Sequence, residues 1–170
     1  MSYGRRMTIK RRFIEKIELG LEEDQAIWDI TASGLPDKTS EAEVLSREKG
    51  IWVGDHLGQA VEALSEGQVR VLSKFKDGDS IGKGDVVSRW KGSAHAILKF
   101  ERHYLNLLSY VSGIANAGAK LKAKLGKSNA RVTVTRKILP GYRDLVLYAA
   151  TVGGAFPHRI SLAGGILIKE

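Results

Sequence analysis

The sequence predicts two units of different kind: an α+β unit closed by a long helix over residues 1–112, then a β-α-β unit with parallel connectivity over residues 113–170. Three observations predict this. Period-2 runs at 39–46 and in QVRVLSKF at 68–75 alternate with helical patterns in the first part. Ile97, Phe100, Tyr104, Leu107, Leu108 and Val111, spaced by three or four, mark a helix from Ala94 to about Leu125. Past Lys127-Ser128-Asn129 the order is strand, turn, helix, glycine pair and strand, the repeat of a parallel sheet or barrel.

The elements follow in order. Phe13, Ile14, Ile17 and Leu21 give residues 9–24 one apolar helical face, and Asp29-Ile30-Thr31 reads as a connection. Strands are predicted at 39–46, 50–53 and 68–75, with Asp55 as the cap of a short helix to Leu64. KDGDSIGKGD (76–85) carries turn chemistry and predicts a tight hairpin-like crossing into DVVSRW. It also resembles the glycine-rich hairpins of lipoyl-carrier domains, although the flanks of Lys83 differ; the plain reading is a structural corner. Gly113 and Gly118 predict a bend or break in the long helix. Beyond it lie a strand at 131–135, a helix at about 142–152 and a strand at 166–169.

Composition narrows the function classes. With 43% hydrophobic and 27% charged residues, the 170-residue chain buries at least one full core. No run of about 18 apolar residues exists, and the basic start is not followed by the apolar segment of a secretory signal, so the expectation is a cytoplasmic chain without a membrane span. Lacking cysteine, the chain holds neither disulfides nor thiolate metal sites. Residues 1–112 hold 17 Lys/Arg and 17 Asp/Glu, whereas residues 113–170 hold 10 Lys/Arg against Asp144 and Glu170. All of the net +8 therefore lies in the last third. That points to a polyanionic partner or a missing acidic complement, unless Lys120, Lys122, Lys124 and Lys127 are simply a solvated face. Nucleic acid is not the expected partner, because no aromatic interleaving or helix-turn-helix pattern accompanies the lysines.

Candidate chemistry gathers at four places: Glu101-Arg102, Thr135-Arg136-Lys137 before Pro140-Gly141, His158-Arg159 between two Gly-Gly pairs, and Lys169 after Ile166-Leu167-Ile168. Each alone has a plain explanation as a solvated charge. Together, Arg136, Lys137 and Lys169 follow short apolar strands and point to one end of a parallel sheet, where such folds carry their ligands. Arginine matches carboxylates with a planar fork, and lysine suits phosphate oxygens. His158-Arg159, following a helix, is expected at the opposite edge unless the flanking glycines let the loop return.

ERHYLNLLSYVSGIAN, TRKILPGYR, VGGAFPHRISL and GGILIKE, in this order and spacing, resemble the quinolinate phosphoribosyltransferase family, and the similarity includes Asp29-Ile30-Thr31 and the DGDSIGKGD turn. The resemblance implies an α+β open-faced sandwich domain followed by the first β/α unit of an incomplete, open β/α barrel. It implies transfer of ribose 5-phosphate from phosphoribosyl pyrophosphate, with Mg2+, to the ring nitrogen of quinolinate, releasing CO2 and pyrophosphate and forming nicotinate mononucleotide. Arg136, His158 and Arg159 would hold the quinolinate carboxylates. Lys137 and Lys169 would lie near the phosphates as the catalytic cations, and Arg102 would reach into the site of a neighbouring subunit of a homodimer.

Ile138 departs from the family's usual threonine, and Phe156-Pro157 precedes His158 where a small residue and asparagine are common. The Pro-His-Arg form is similar to ModD-type proteins linked to molybdenum-transport operons, while the Ile-Lys-Glu ending favours the quinolinate enzymes. The family's acidic residues on later barrel strands have no counterpart here. The expectation is therefore an amino-terminal part that is inactive alone, either a fragment or a chain whose barrel a second chain completes; a ModD-like phosphoribosyltransferase, a non-catalytic paralogue or an anion-binding module is the alternative.

Overall fold

The computed structural model describes residues 3–166 and 168. Helix α1 (Tyr3–Glu23) buries Phe13 and Ile17, one turn apart. A single 3₁₀ turn (Ala26–Trp28) leads to α2 (Ile30–Ser33), so the stretch expected as a connection is partly helical. Its cause is Asp29, whose carboxylate accepts from the N–H of Thr31 at 2.8 Å and of Ala32 at 3.1 Å as an N-cap.

Strands β1 (Thr39–Leu45), β3 (Val69–Ser73) and β5 (Val86–Ser93) form an antiparallel sheet in the order β1-β5-β3. Trp90 of β5 pairs with Ala42 on one side and Val71 on the other and is buried. Strand β2 (Gly50–Ile51) pairs antiparallel with β4 (Ser80–Ile81), so the Asp-Gly stretch is not one tight hairpin but an excursion to a second small sheet. Three carboxylates pin that excursion. Asp79 accepts from Lys76 N at 2.8 Å, Asp85 from Gly82 N at 2.7 Å, and Asp77 from Gly54 N at 2.7 Å and Asp55 N at 3.0 Å. Asp77 thereby caps α3 (Asp55–Leu64) from outside its own segment; the N-cap position is Gly54, and Asp55 is the first helical residue.

Helix α4 (Ala94–Leu125) begins at Ser93, whose hydroxyl accepts from Ala96 N at 3.1 Å, and continues unbroken through Gly113 and Gly118. Tertiary packing outweighs the glycine penalty. A Cβ at Gly118 would stand 3.4 Å from the carbonyl oxygens of both Ala150 and Gly153, so this glycine marks where the next helix crosses closely. That helix, α5 (Arg143–Val152), places Leu145 and Ala149 in the same apolar core as Phe13, Trp52, Leu57, Trp90, Phe100 and Tyr104. Inside it, Tyr104 Oη and Trp90 Nε1 both donate to Ser88 Oγ at 3.2 Å. Burial, opposed only by that hydrogen bond, pushes the Tyr104 phenol up to about 12.

Strand β6 (Thr133–Val134), shorter than the expected 131–135, pairs in parallel with β7 (Phe156–Pro157), Thr133 opposite Phe156 and Val134 opposite Pro157. Among the described residues the strand paired with β6 is thus β7; the strand expected at 166–169 falls partly outside them. Ile166 and Ile168 lie in no regular element and are 95% and 89% exposed, while Leu167 and Lys169 lie outside the described residues. Among the described residues, no helix is long and apolar enough to cross a membrane.

Candidate functional site

The β6–α5–β7 unit decides where the cations go. Arg136 stands two residues after Val134, and Arg159 two residues after Pro157, its register partner. Because the strands are parallel, both cation pairs leave the sheet at its carboxyl edge. His158-Arg159 was expected at the opposite edge. The return is made by Gly153 and Gly154, the second at φ 86°, which turn the chain directly from α5 into β7. Phe156 N–H then donates to Val132 O at 2.7 Å, and the Arg131 guanidinium stacks 5.3 Å from the Phe156 ring.

The two arginines share an unusual property. Both are half-buried, and the Nε of each is buried without a hydrogen-bond partner among the described residues. A buried N–H left unpaired costs about 1–3 kcal/mol, more on a charged group, so the edge retains donors that a carboxylate would satisfy. Arg159 uses one terminal nitrogen on Leu162 O at 3.1 Å. The Arg136 turn is tightened by Thr135 Oγ1, which accepts from Lys137 N at 3.1 Å, and by Ile138 N–H donating to Arg136 O at 3.0 Å. Lys137 and His158 are exposed beside them. The candidate Lys169 lies outside the described residues.

Arg102 is placed elsewhere. It is exposed on α4 and lines a cleft of 410 Å³ with Asp24, Asp29, Lys99, Glu101 and His103, the last paired with Asp24 at 3.3 Å. Gly118, where α5 crosses, is sixteen residues further along α4, about 24 Å away on the helix axis. Among the described residues, no group of three or more His, Asp or Glu side chains is placed to hold a metal ion. The described side chains by themselves therefore form no ligand set for Mg2+.

Sequence reasoning missed the group that holds α5 in place. Tyr148 donates to Asp77 Oδ2, Arg12 pairs with Asp144 at 2.7 Å, and Lys16 Nζ stands 4.7 Å over the Tyr142 ring. The partners are 71 and 132 residues apart for the first two, beyond the reach of any local pattern. Only the aspartate-rich turn itself was visible.

Comparison with known proteins covers both parts of the chain. The family model described as quinolinate phosphoribosyl transferase, N-terminal domain, matches residues 29–112, and the C-terminal domain model of the same family matches residues 114–170. The chain is 34% identical over 149 residues to a probable carboxylating nicotinate-nucleotide pyrophosphorylase of Bacillus subtilis, covering 87% of this chain and 52% of that protein. A protein of the same description from Archaeoglobus fulgidus is 37% identical over 84% of this chain and 54% of its own length. Among solved structures, the nicotinate-nucleotide pyrophosphorylase of Francisella tularensis superposes with a TM-score of 0.85 at 29% identity, over 90% of this chain and 55% of that one. That of Ehrlichia chaffeensis gives 0.84 at 27% identity, over 99% and 58%. The chain spans about half the length of the curated relatives it matches.

Proposed function

Because the chain belongs to the quinolinate phosphoribosyltransferase family, we propose that its cationic edge binds quinolinate and phosphoribosyl pyrophosphate in the phosphoribosyl transfer of NAD biosynthesis. The observation that carries the reading is the pairing of Arg136-Lys137 with His158-Arg159 at one carboxyl edge, with two buried guanidinium Nε–H groups left to donate. In this reading Arg136, His158 and Arg159 take the two carboxylates, and Lys137 and Lys169 face the phosphates. The pyridine nitrogen forms its bond to the ribose C1 as the C1–O bond to pyrophosphate breaks, the electron pair leaving with pyrophosphate; the bond from C2 to its carboxylate then breaks, its electron pair stays on C2 beside the cationic ring nitrogen as CO2 leaves, and C2 takes a proton from solvent. Two anionic substrates repel, and a fixed set of cations offsets that repulsion while orienting the reacting atoms. Magnesium enters with the pyrophosphate group of phosphoribosyl pyrophosphate, as the family resemblance implies.

The finer architecture belongs to the same proposal: an open-faced sandwich and the first unit of a β/α barrel, divided near residue 112 within α4. Arg102 acts in the site of a second copy, a role supported by its exposure about 24 Å along α4 from the α5 crossing. A further polypeptide of β/α units would seat against exposed Leu139 and Leu162, and the assembly is cytoplasmic.

Calorimetric titration of the chain with quinolinate tests the reading. Saturable binding that weakens at least about tenfold in Arg136→Ala and in Arg159→Ala supports it, as loss of a charge-assisted bond requires. No binding, or binding indifferent to both substitutions, overturns it.

A further inference from the structure

We propose that Tyr148 and Asp77 are positioning residues: their hydrogen bond fixes the rotation of α5 on the first unit and so sets the relation between Arg136 and Arg159. The inference rests on the reading of the cationic edge as an anion site.

Asp77 is a fully committed carboxylate. Its Oδ1 accepts from Gly54 N at 2.7 Å and Asp55 N at 3.0 Å, the free donors of a helix start with no side-chain cap of its own. Its own N–H donates to Asp55 Oδ2 at 3.2 Å, and Asp55 Oδ1 accepts from Trp52 Nε1 at 3.3 Å. Four hydrogen bonds thus hold this group from within the first unit. Tyr148, from the middle of α5, then donates its phenol to the remaining oxygen, Oδ2, and His56 lies tilted on the Tyr148 ring at 5.6 Å. One side chain of α5 thus ends on a multiply bonded acceptor in the other unit.

Short connectors carry the effect outward. Residues 138–142 join Arg136-Lys137 to the start of α5, and 153–157 join its end to His158-Arg159. Neither connector is long enough to absorb a turn of the helix between them. The other anchors act at the two ends of the helix: at its start the Tyr142 ring lies under Lys16 at 4.7 Å and edge-on to Tyr110 at 5.7 Å. Arg12–Asp144 is a half-buried pair at the first turn, and the Gly153–Ala115 approach is a backbone contact at the opposite end. Leu145, Ala149 and Ala150 set depth, but the two alanines offer little relief to resist rotation.

The test follows the side-chain Nε–Hε resonances of Arg136 and Arg159 by nuclear magnetic resonance, each assigned by its loss in the Arg→Lys variant. Tyr148→Phe keeps the ring and removes the bond. It should shift or broaden both resonances and weaken quinolinate binding about tenfold. Asp77→Asn, which retains one oxygen for the α3 donors, should move the same two resonances, and the double variant should add nothing to either single one. Ser88→Ala, which weakens the core away from α5, should leave them in place. Unmoved arginine resonances in Tyr148→Phe and Asp77→Asn overturn the proposal, as does an equal movement in Ser88→Ala. Should the resonances move while the unsubstituted chain binds no quinolinate, the clasp stands and the substrate reading falls.

Discussion

Gly153→Ala adds one carbon where α5 meets α4. An ideal Cβ at that position stands 2.1 Å from Ala115 O and 2.8 Å from its C and Cα, whereas real Cβ atoms essentially never come within 3.0 Å of such atoms. Backbone cannot swing aside as a side chain does, so the helices must part by at least about 0.9 Å, the difference between 3.0 and 2.1 Å. A gap of that size forfeits about a quarter to a half of each dispersion contact across the interface that buries Leu145, Ala149 and Ala150. With the strain of overpacking, the expected loss is about 2–4 kcal/mol. For a chain of this length that lowers the thermal midpoint by about 6–12 °C. Gly113→Ala is the matched control: it lies exposed on α4 with nothing within 4 Å of its Cβ. It should gain about 0.5–1 kcal/mol of helix propensity and raise the midpoint. Calorimetric melting of both variants decides the matter. A Gly153→Ala midpoint within about 2 °C of the parent would refute the close crossing of α4 and α5.

Three further outcomes follow. Ser88→Ala strips the shared acceptor from Tyr104 Oη and Trp90 Nε1, leaves two buried donors unpaired, and should cost about 2–4 kcal/mol in denaturant unfolding. In an ultraviolet titration, the buried Tyr104 phenol should stay protonated until about pH 12, and Tyr104→Phe should remove only that late step. Burial, then the neighbouring Asp77, raises the Asp55 carboxyl above its ordinary 3.8. Between 3.8 and that raised value the folded chain holds a proton that the unfolded chain has released, so stability falls as pH rises through the window. Asp55→Asn should flatten that slope in unfolding measurements across a pH series; an unchanged slope assigns it to other groups.

The long apolar periodicity of α4 was legible because nine of its residues are buried at helical spacing, a signal that two glycines cannot mask. The strands at 39–45 and 69–73 were legible from their alternation at period two, whereas the central strand β5 was foreseen only as the far side of a turn. The candidate edge was half legible. Arg136-Lys137 follow a recognisable β-branched strand, but β7 is a two-residue strand containing a proline, too short to carry any period. The eye goes instead to Ile166-Leu167-Ile168, whose apolar character suggests a strand without securing one; Ile166 and Ile168 are exposed and unpaired in any sheet. Capping also misled. Asp55 has the right residue type at the start of α3, yet the helix is capped by Asp77, because an acceptor brought by tertiary folding reaches the free N–H groups equally well.

The central claim is the parallel pairing of β6 with β7, since it alone puts both cation pairs at one edge. The cysteine-free sequence allows it to be probed with two introduced thiols. Adjacent strands stand about 4.8 Å apart, within the span a disulfide bridges. Thr133→Cys combined with Phe156→Cys should cross-link rapidly under mild oxidation, and Thr133→Cys combined with Ile168→Cys should not. The reverse preference would place 166–168 beside β6, return His158-Arg159 to the far edge, and contradict the account.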